Sequence, residues 1–450
     1  MTGYWFERAW VDGGWRAGVR LTVGDGRFRT VETGAVPKEG DERHAAGLPG
    51  LCNVHSHGFQ RGMAGLSERR SRPDDNFWSW RDIMYRFLDR LTPEDVAAIT
   101  AQAYAEMLEA GFTRVGEFHY LHNDPAGASY ANPAEMAGAV AEAARATGIG
   151  LTLLPVFYAH GSFGGSEPSY GQRRFLNDPD SFARLMEASR GTLPAGANIG
   201  VAPHSLRAAT PEEIECLLQL CPDGPIHIHV AEQVQEVDDC LAWSGARPVE
   251  WLLDNAPVDE RWCLIHATHI DEGERRRLSA TGAVAGLCPI TEANLGDGIF
   301  PATDYLQDGG RFAIGTDSNI QIDAAGELRA LEYSQRLAQR ARALLTSQGA
   351  SPSVGASLYA GAAMGGAQAL NWGTGLAPGR PADFMSLNMA HPAFAAASDE
   401  TRLDCWIFAA GAGAIDRVWR GGVRCVEGGH HHHAPEIAER YRRCIARITA

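Results

Sequence analysis

The chain has 450 residues, 45% of them hydrophobic and 21% charged, with no long polar tract, which is the make-up of a folded globular protein of up to about three domains. A net charge of -15 argues against a nucleic-acid backbone as partner, but leaves room for a local cationic pocket that binds an acidic metabolite. The first residues lack the basic start and apolar core of a secretory signal, and no apolar run approaches the ~18 residues of a membrane span, so a cytoplasmic protein is expected.

The first 48 residues alternate in short segments, "YWFERAWVDG" and "VRLTVGDGRFRTVETG", whose Asp-Gly and Gly-Gly pairs read as hairpin turns. The same texture returns near the end in "RPADFMSLNMAH" and "IDRVWRGGVRCVEGG". Residues 1–48 and 375–429 are therefore expected to form one small β-sandwich domain.

Between them, residues 49–374, strand-like runs alternate with helix-like stretches. Eight candidate strands stand out: "GLCNVHSH", "RVGEFHY", "LTLLPVFYAH", "IGVAPHS", "PIHIHVAE", "WCLIHATH", "AVAGLCPI" and "RFAIGTDSN". Helices over residues 93–110, 133–147 and 211–220 separate some of them, and "TPEDV" and "TPEEI" mark helix starts by placing threonine before proline before acids. The pattern predicts an α/β fold, a (β/α)8 TIM-like barrel. Further helices are expected over 328–345 and 354–370, with an amphipathic helix over 434–450. The tetrahistidine run at 430–433 reads as an exposed loop without a catalytic role. Nine cysteines with no CxxC pair support neither a disulfide framework nor a cysteine zinc site.

In such a barrel, chemistry collects at the C-terminal ends of the strands. His55 and His57 end the first strand, His204 the fourth, His229 the fifth, His266 the sixth and Asp317 the eighth. Alternate residues of a strand share a face, so His55 and His57 can share one cation. Recurrence of imidazole and carboxylate at four further strand ends suits a borderline-soft divalent ion such as zinc, which needs three or four protein ligands. Six candidates exceed that number, so some must serve the substrate or protons. Spacing does not choose between His227 and His229. For His119, His122, His160 and His269, packing or ordinary hydrogen bonding is expected, and for Arg61 and Arg86 surface salt bridges.

This pattern resembles the amidohydrolase superfamily. More narrowly, "HSHGFQRGMAGLSE", "FWSWRDIMYRF", "GEFHYLHN", "VAPHSLRA", "HVAEQVQEVDDCLAWSGARPVEWLLDNA", "HATHID" and "GLCPITEANLGDGIFPA" are similar to the formimidoylglutamate deiminases of bacterial histidine degradation, over most of the chain. The resemblance implies one zinc ion per chain on His55, His57, His229 and Asp317. It also implies a proton shuttle at Glu232 and roles for His204 and His266 towards the substrate and the attacking water. The substrate implied is N-formimidoyl-L-glutamate, converted to N-formyl-L-glutamate and ammonia, with Asp317 taking the proton of the water. Its two carboxylates call for bidentate cations, for which Arg207 and Arg81 are the candidates, while Gln60 and Tyr120 add hydrogen bonds. The only lysine, Lys38, precedes the barrel, so the lysine-bridged metal pair common elsewhere in the superfamily is unavailable. Relatives pair as dimers, so a homodimer is expected. One departure weakens the resemblance: "TDSN" stands where "SDS" followed by histidine is expected, which puts Asn319 and the eighth loop in question. Another deaminase of the superfamily, acting on a purine or pyrimidine base, is the alternative reading, and a barrel without catalysis or a formamide-releasing hydrolase are more distant ones.

Overall fold

The computed structural model describes residues 1–70, 73, 75–346 and 352–450. Its centre is a closed barrel of eight parallel strands, in order Leu51–Ser56, Phe112–His119, Gly150–Phe157, a fourth strand broken into Asn198–Ile199 and Ala202–Pro203, then Ile226–Val230, Trp262–His266, Val284–Leu287 and Arg311–Ile314. The first four and last four pair among themselves, and bridges between Ser56 and Asp317, Val201 and Ile226, and Ser205 and His229 close the cylinder. All eight expected strands are present. Nearly every strand residue is buried, because the pore is filled from inside and helices cover the outside.

The helix starts follow the chemistry read from sequence. Thr92 and Thr210 each exchange hydrogen bonds with the acid three residues on, Asp95 and Glu213, with proline at the first helical position of Pro93–Glu109 and Pro211–Leu220. One helix ends earlier than expected. Ala324–Gln339 stops at Arg340, which turns left-handed, because the Glu332 carboxylate takes the backbone N–H groups of Leu344 and Leu345 at 3.0 and 2.9 Å and folds the chain back.

Both chain ends contribute to one eight-stranded sheet, running from His430–His431 through Val423–Glu427, Ile415–Arg420, Phe384–Leu387, Glu42–Pro49, Thr2–Val11 and Gly14–Gly24 to Arg27–Glu32. Its four two-residue hairpin turns, Asp12-Gly13, Asp25-Gly26, Gly421-Gly422 and Gly428-Gly429, have positive φ at both residues, the turn whose twist matches the strands. The sheet curls until Phe28 and Gly26 bond to Arg380 and Ala382, which closes a separate core around Phe6, Phe28, Phe384 and Trp419.

The tetrahistidine run departs from its expected place. His431 is buried, its ring bonded to the Thr147 carbonyl at 2.8 Å and its backbone N–H to Glu109, so that this residue ties the sheet edge to the barrel while His430, His432 and His433 stay exposed. The terminal helix, Ala434–Thr449, buries Ile437, Cys444 and Ile448 against Pro93–Glu109. Among the described residues no helix is long and apolar enough to cross a membrane.

Candidate metal centre and active site

The C-terminal rim of the barrel is where the backbone departs from ordinary geometry. Of the ten described non-glycine residues with positive φ, five lie here: Ala231, His266, Ala267, Asp317 and Asn319. Each costs on the order of 1 kcal/mol, so the surrounding contacts must impose it. Just inside the rim, His55, His57, His229 and Asp317 offer ligand atoms within 4.8 Å of one another, and all four are buried.

The edges of this cluster are informative. His55 Nε2 lies 3.1 Å from His229 Nε2 and 3.4 Å from Asp317 Oδ1, and His57 Nε2 lies 3.2 Å from the same oxygen. Ligands about 2.0–2.1 Å from a tetrahedral zinc ion sit about 3.3 Å apart, so the donor set fits a single ion of that kind. The rings are aimed from behind. His57 Nδ1 meets the Phe118 carbonyl at 2.9 Å and His229 Nδ1 meets that of His204 at 3.0 Å, which makes Nδ1 the donor and leaves the Nε2 lone pair for a cation. Burial pushes His55 down to about 3 and His229 well below the ordinary range, so both are neutral, as ligands must be. Burial works against a charge on Asp317, but the His55 and His57 rings beside it outweigh that and hold its carboxyl far below the usual range.

His227, two residues before His229, belongs elsewhere. Its Nε2 bonds to the Ala369 carbonyl at 2.7 Å, deeper in the barrel, which settles what spacing leaves open. His122, His160 and His269 also make ordinary bonds, to the Val156 carbonyl, Glu213 and the Asp297 carbonyl. Arg61 pairs with Glu106 at 2.8 Å and donates to the carbonyls of Asn319 and Ile320, bracing the first loop against the eighth.

Beside the four ligand candidates stand His266 and Glu232. His266 Nε2 is 3.9 Å from both Asp317 Oδ2 and Glu232 Oε1, while its Nδ1 is 3.1 Å from Glu292 Oε1. Burial works against a charge on His266, but Glu232, Glu292 and Asp317 outweigh it and push the imidazole up to about 10. Burial likewise pushes the Glu232 carboxyl up to about 7, against His266 and Arg207, so it can hold a proton near neutral pH. The turn that carries Glu232 is fixed by Glu236, whose two oxygens accept the N–H groups of Ala231 and Glu232 at 3.1 and 3.2 Å.

These groups floor a pocket walled by Gln60, Trp80, Arg81, Tyr120, Tyr158, Phe175, His204 and Arg207. Every sequence-predicted site residue thus faces one cavity, except His55, which lies just beneath it. Two guanidiniums approach the Trp78 ring, Arg81 at 4.5 Å and Arg207 at 5.9 Å from its centroid. Among the described residues both carry a buried Nε with no partner, and the acid that pairs with Arg207 is Glu236 at 3.8 Å. His204 sits against Tyr158, ring centroids 4.6 Å apart. Gln60 spends its amide N–H on the Tyr120 hydroxyl at 2.8 Å, and its Oε1 is buried without a partner among the described residues.

Asn319 is no defect. Its amide donates to Ser56 Oγ and to the carbonyls of His57 and Asp317 at 3.1–3.2 Å, and its Oδ1 accepts from Thr316 at 2.6 Å. It laces the ends of the first and eighth strands together, in a left-handed conformation that asparagine tolerates better than most residues. Glu236 and Glu292 escape sequence reading because each looks like an ordinary acid in the first turn of a helix. Their strand-end positions, shortly after the fifth and seventh strands, are the signal available.

Comparison with known proteins narrows the chemistry. Residues 47–425 match the profile of the Amidohydrolase family, and residues 2–45 match that of the formimidoylglutamate deiminase HutF N-terminal domain. The chain is 48% identical over 435 residues to a formimidoylglutamate deiminase of Pseudomonas aeruginosa, covering 96% of each. A 5-methylthioadenosine/S-adenosylhomocysteine deaminase of Natronomonas pharaonis is 30% identical over 69% of this chain and 65% of its own. Among solved structures, an amidohydrolase from Brucella melitensis superposes with a TM-score of 0.96 at 50% identity over the whole of both chains. An adenosine deaminase from Xanthomonas campestris superposes at 0.82 with 22% identity over 100% of this chain and 98% of its own, a likeness of fold.

Proposed function

We propose a reaction for this chain on the premise that it belongs to the amidohydrolase family and, within it, to the formimidoylglutamate deiminases. It hydrolyses N-formimidoyl-L-glutamate to N-formyl-L-glutamate and ammonia, as a step of histidine degradation in the cytoplasm, with one zinc ion per chain and a homodimeric assembly. One observation carries the reading: a cage of three imidazoles and a carboxylate floors a pocket whose wall presents two guanidiniums with unpartnered Nε groups.

His55, His57, His229 and Asp317 hold the ion. When bound, zinc supplies a water acidified to a pKa of about 7. Arg207 and Arg81 take the two carboxylates of the substrate, which sets the formimidoyl carbon over the cage. Gln60 offers its Oε1 to an amidine N–H, and the packed rings of His204, Tyr158 and Tyr120 confine the group. Asp317 accepts the proton released as water oxygen bonds to the formimidoyl carbon, and His266, whose Nε2 stands 3.9 Å from Asp317 Oδ2, orients that oxygen. Glu232, which holds a proton near neutral pH, gives it to the imine nitrogen. Asp317 then passes its proton to the resulting amine while Glu232 takes one back from the hydroxyl group; the C–N bond breaks, ammonia leaves, the formyl C=O remains on the amide nitrogen of glutamate, and both carboxyl groups regain their starting states.

Steady-state ammonia release from N-formimidoyl-L-glutamate, compared with guanine, adenine and cytosine, tests this. Turnover of the amidine alone is expected, with N-formylglutamate identified by mass spectrometry. Preference for a nucleobase, or formamide with glutamate as products, would overturn it.

A further inference from the structure

Glu292 lies on the short helix Pro289–Leu295 that follows the seventh strand, a strand end without a histidine. Its carboxylate is buried, and a single oxygen, Oε1, faces two donors: the Cys288 backbone N–H at 2.8 Å and His266 Nδ1 at 3.1 Å. The backbone bond fixes where that oxygen stands, independently of the histidine. The Glu292 carbonyl accepts the Asp297 N–H at 2.9 Å, so the residue is held at both ends.

His266 is the residue that needs holding. It and Ala267 are consecutive left-handed residues, φ 67° and 48°, in a strained turn that aims the ring across the rim. Its other nitrogen faces Asp317 and Glu232 at the same 3.9 Å. A carboxylate oxygen at Nδ1 can only accept, so Nδ1 carries a hydrogen whatever the charge on the ring. Nε2 is then the one atom of His266 at which a proton is gained, lost or shared.

We propose that Glu292 is a positioning residue for the hydrolysis: it fixes the tautomer and the rotation of His266 so that Nε2 stands between the water-side carboxylate Asp317 and the proton donor Glu232. The inference rests on the deiminase reading above. It acts on the chemical step and not on substrate capture, since Glu292 does not line the pocket. It also leaves the metal cage alone, because His266 is not among the four clustered ligands.

The experiment measures kcat, KM, metal content and unfolding midpoint for Glu292→Leu and Glu292→Gln against the parent enzyme with N-formimidoyl-L-glutamate. Glu292→Leu should lose about 30-fold or more in kcat with KM and bound metal nearly unchanged, whereas Glu292→Gln, which still turns an oxygen to both donors, should stay within about tenfold. Both substitutions are repeated in His266→Asn protein, where neither should cost anything further. Should Glu292→Leu not accumulate, Glu292→Asp, which withdraws the oxygen by one methylene, is read the same way. Full kcat in the Leu or Asp variant, a loss carried by KM, a Gln variant as poor as Leu, or an undiminished loss without His266 would overturn the proposal. Parent enzyme inactive on this substrate would instead refute the functional reading, so the two failures are distinct.

Discussion

His55 and His229 approach each other nitrogen to nitrogen, Nε2 to Nε2 at 3.1 Å, with the His229 Nδ1 hydrogen committed to the His204 carbonyl. Burial keeps both rings neutral, and with His55 Nε2 unprotonated two lone pairs would face each other at that distance, a repulsion that a bound cation removes. Protein prepared without an affinity tag or added metal is therefore expected to carry one divalent ion per chain by elemental analysis. Removing it with a chelator should lower the unfolding midpoint, since the cage exists only in the folded chain, and zinc should restore both midpoint and activity. His229→Ala should retain little metal. Full metal content in that variant would point to the exposed histidines of the 430–433 run instead.

Glu232 sets a pH dependence whose sign follows from its raised pKa. Unfolded, a glutamate ionises near 4.5; folded, burial holds this one protonated to about 7. Its contribution to stability is fully present below 4.5 and is lost as pH rises to about 7, a cost of about 3 kcal/mol at about 1.4 kcal/mol per pH unit. Glu232→Gln should thus melt higher than the parent at pH 8 and alike at pH 4.5, while losing about 10²–10⁴-fold in turnover and keeping its metal. Equal midpoints at pH 8 would show that the carboxylate is better solvated than its burial implies.

Asn319 holds together the strand ends that carry His55, His57 and Asp317 through four hydrogen bonds, three donated and one accepted. Asn319→Ala removes one bond from each of the carbonyls of His57 and Asp317, which keep the backbone N–H groups of Gln60 and His57, so a loss of about 1–2 kcal/mol in stability is expected, with metal affinity weakened about 10–100-fold. Competition with a chelator of known affinity reads the second effect. Unchanged affinity would mean that the backbone bonds between Asp317 and His55 hold the cage without it.

What sequence could reveal, and what it could not, follows from how far each signal reaches along the chain. The eight strands were legible because each is a short apolar run, and the ligand candidates because barrels place chemistry at strand ends. Helix starts were legible because Thr92 and Thr210 write their caps within four residues. The meaning of Asn319 was not, since its partners Ser56 and His57 are more than 260 residues away. Similarly, His227 and His229 are indistinguishable in "HIHV" until the Ala369 carbonyl claims the first of them. The buried place of His431 depends on Thr147 and Glu109, which no local pattern connects to a polar run.

Arg81 and Arg207 both line the pocket and both approach the Trp78 ring, which suits the two carboxylates of one substrate. A charge-assisted bond to such a group is worth about 1.5–3 kcal/mol, so either arginine changed to alanine should raise KM about 10–100-fold with a smaller effect on kcat. The glycine analogue N-formimidoylglycine, with one carboxylate, distinguishes them: only one of the two variants should be impaired on it relative to the parent. If both lose equally on the glycine analogue, the two guanidiniums share a single carboxylate.

Gln60 provides the last test, because its orientation is dictated by a neighbour. Tyr120 accepts from Gln60 Nε2 at 2.8 Å and turns its own hydroxyl to the Met84 sulfur at 3.2 Å, so the amide cannot flip without losing a partner. That leaves Oε1 as an acceptor for an N–H of the bound amidine. Gln60→Leu should lower kcat/KM about tenfold or more, and Tyr120→Phe should lower it less, since the amide then keeps its place but not its direction. Because Tyr120 acts here through Gln60, the double variant should be no worse than Gln60→Leu alone. Additive losses would mean instead that the Tyr120 hydroxyl touches the substrate directly.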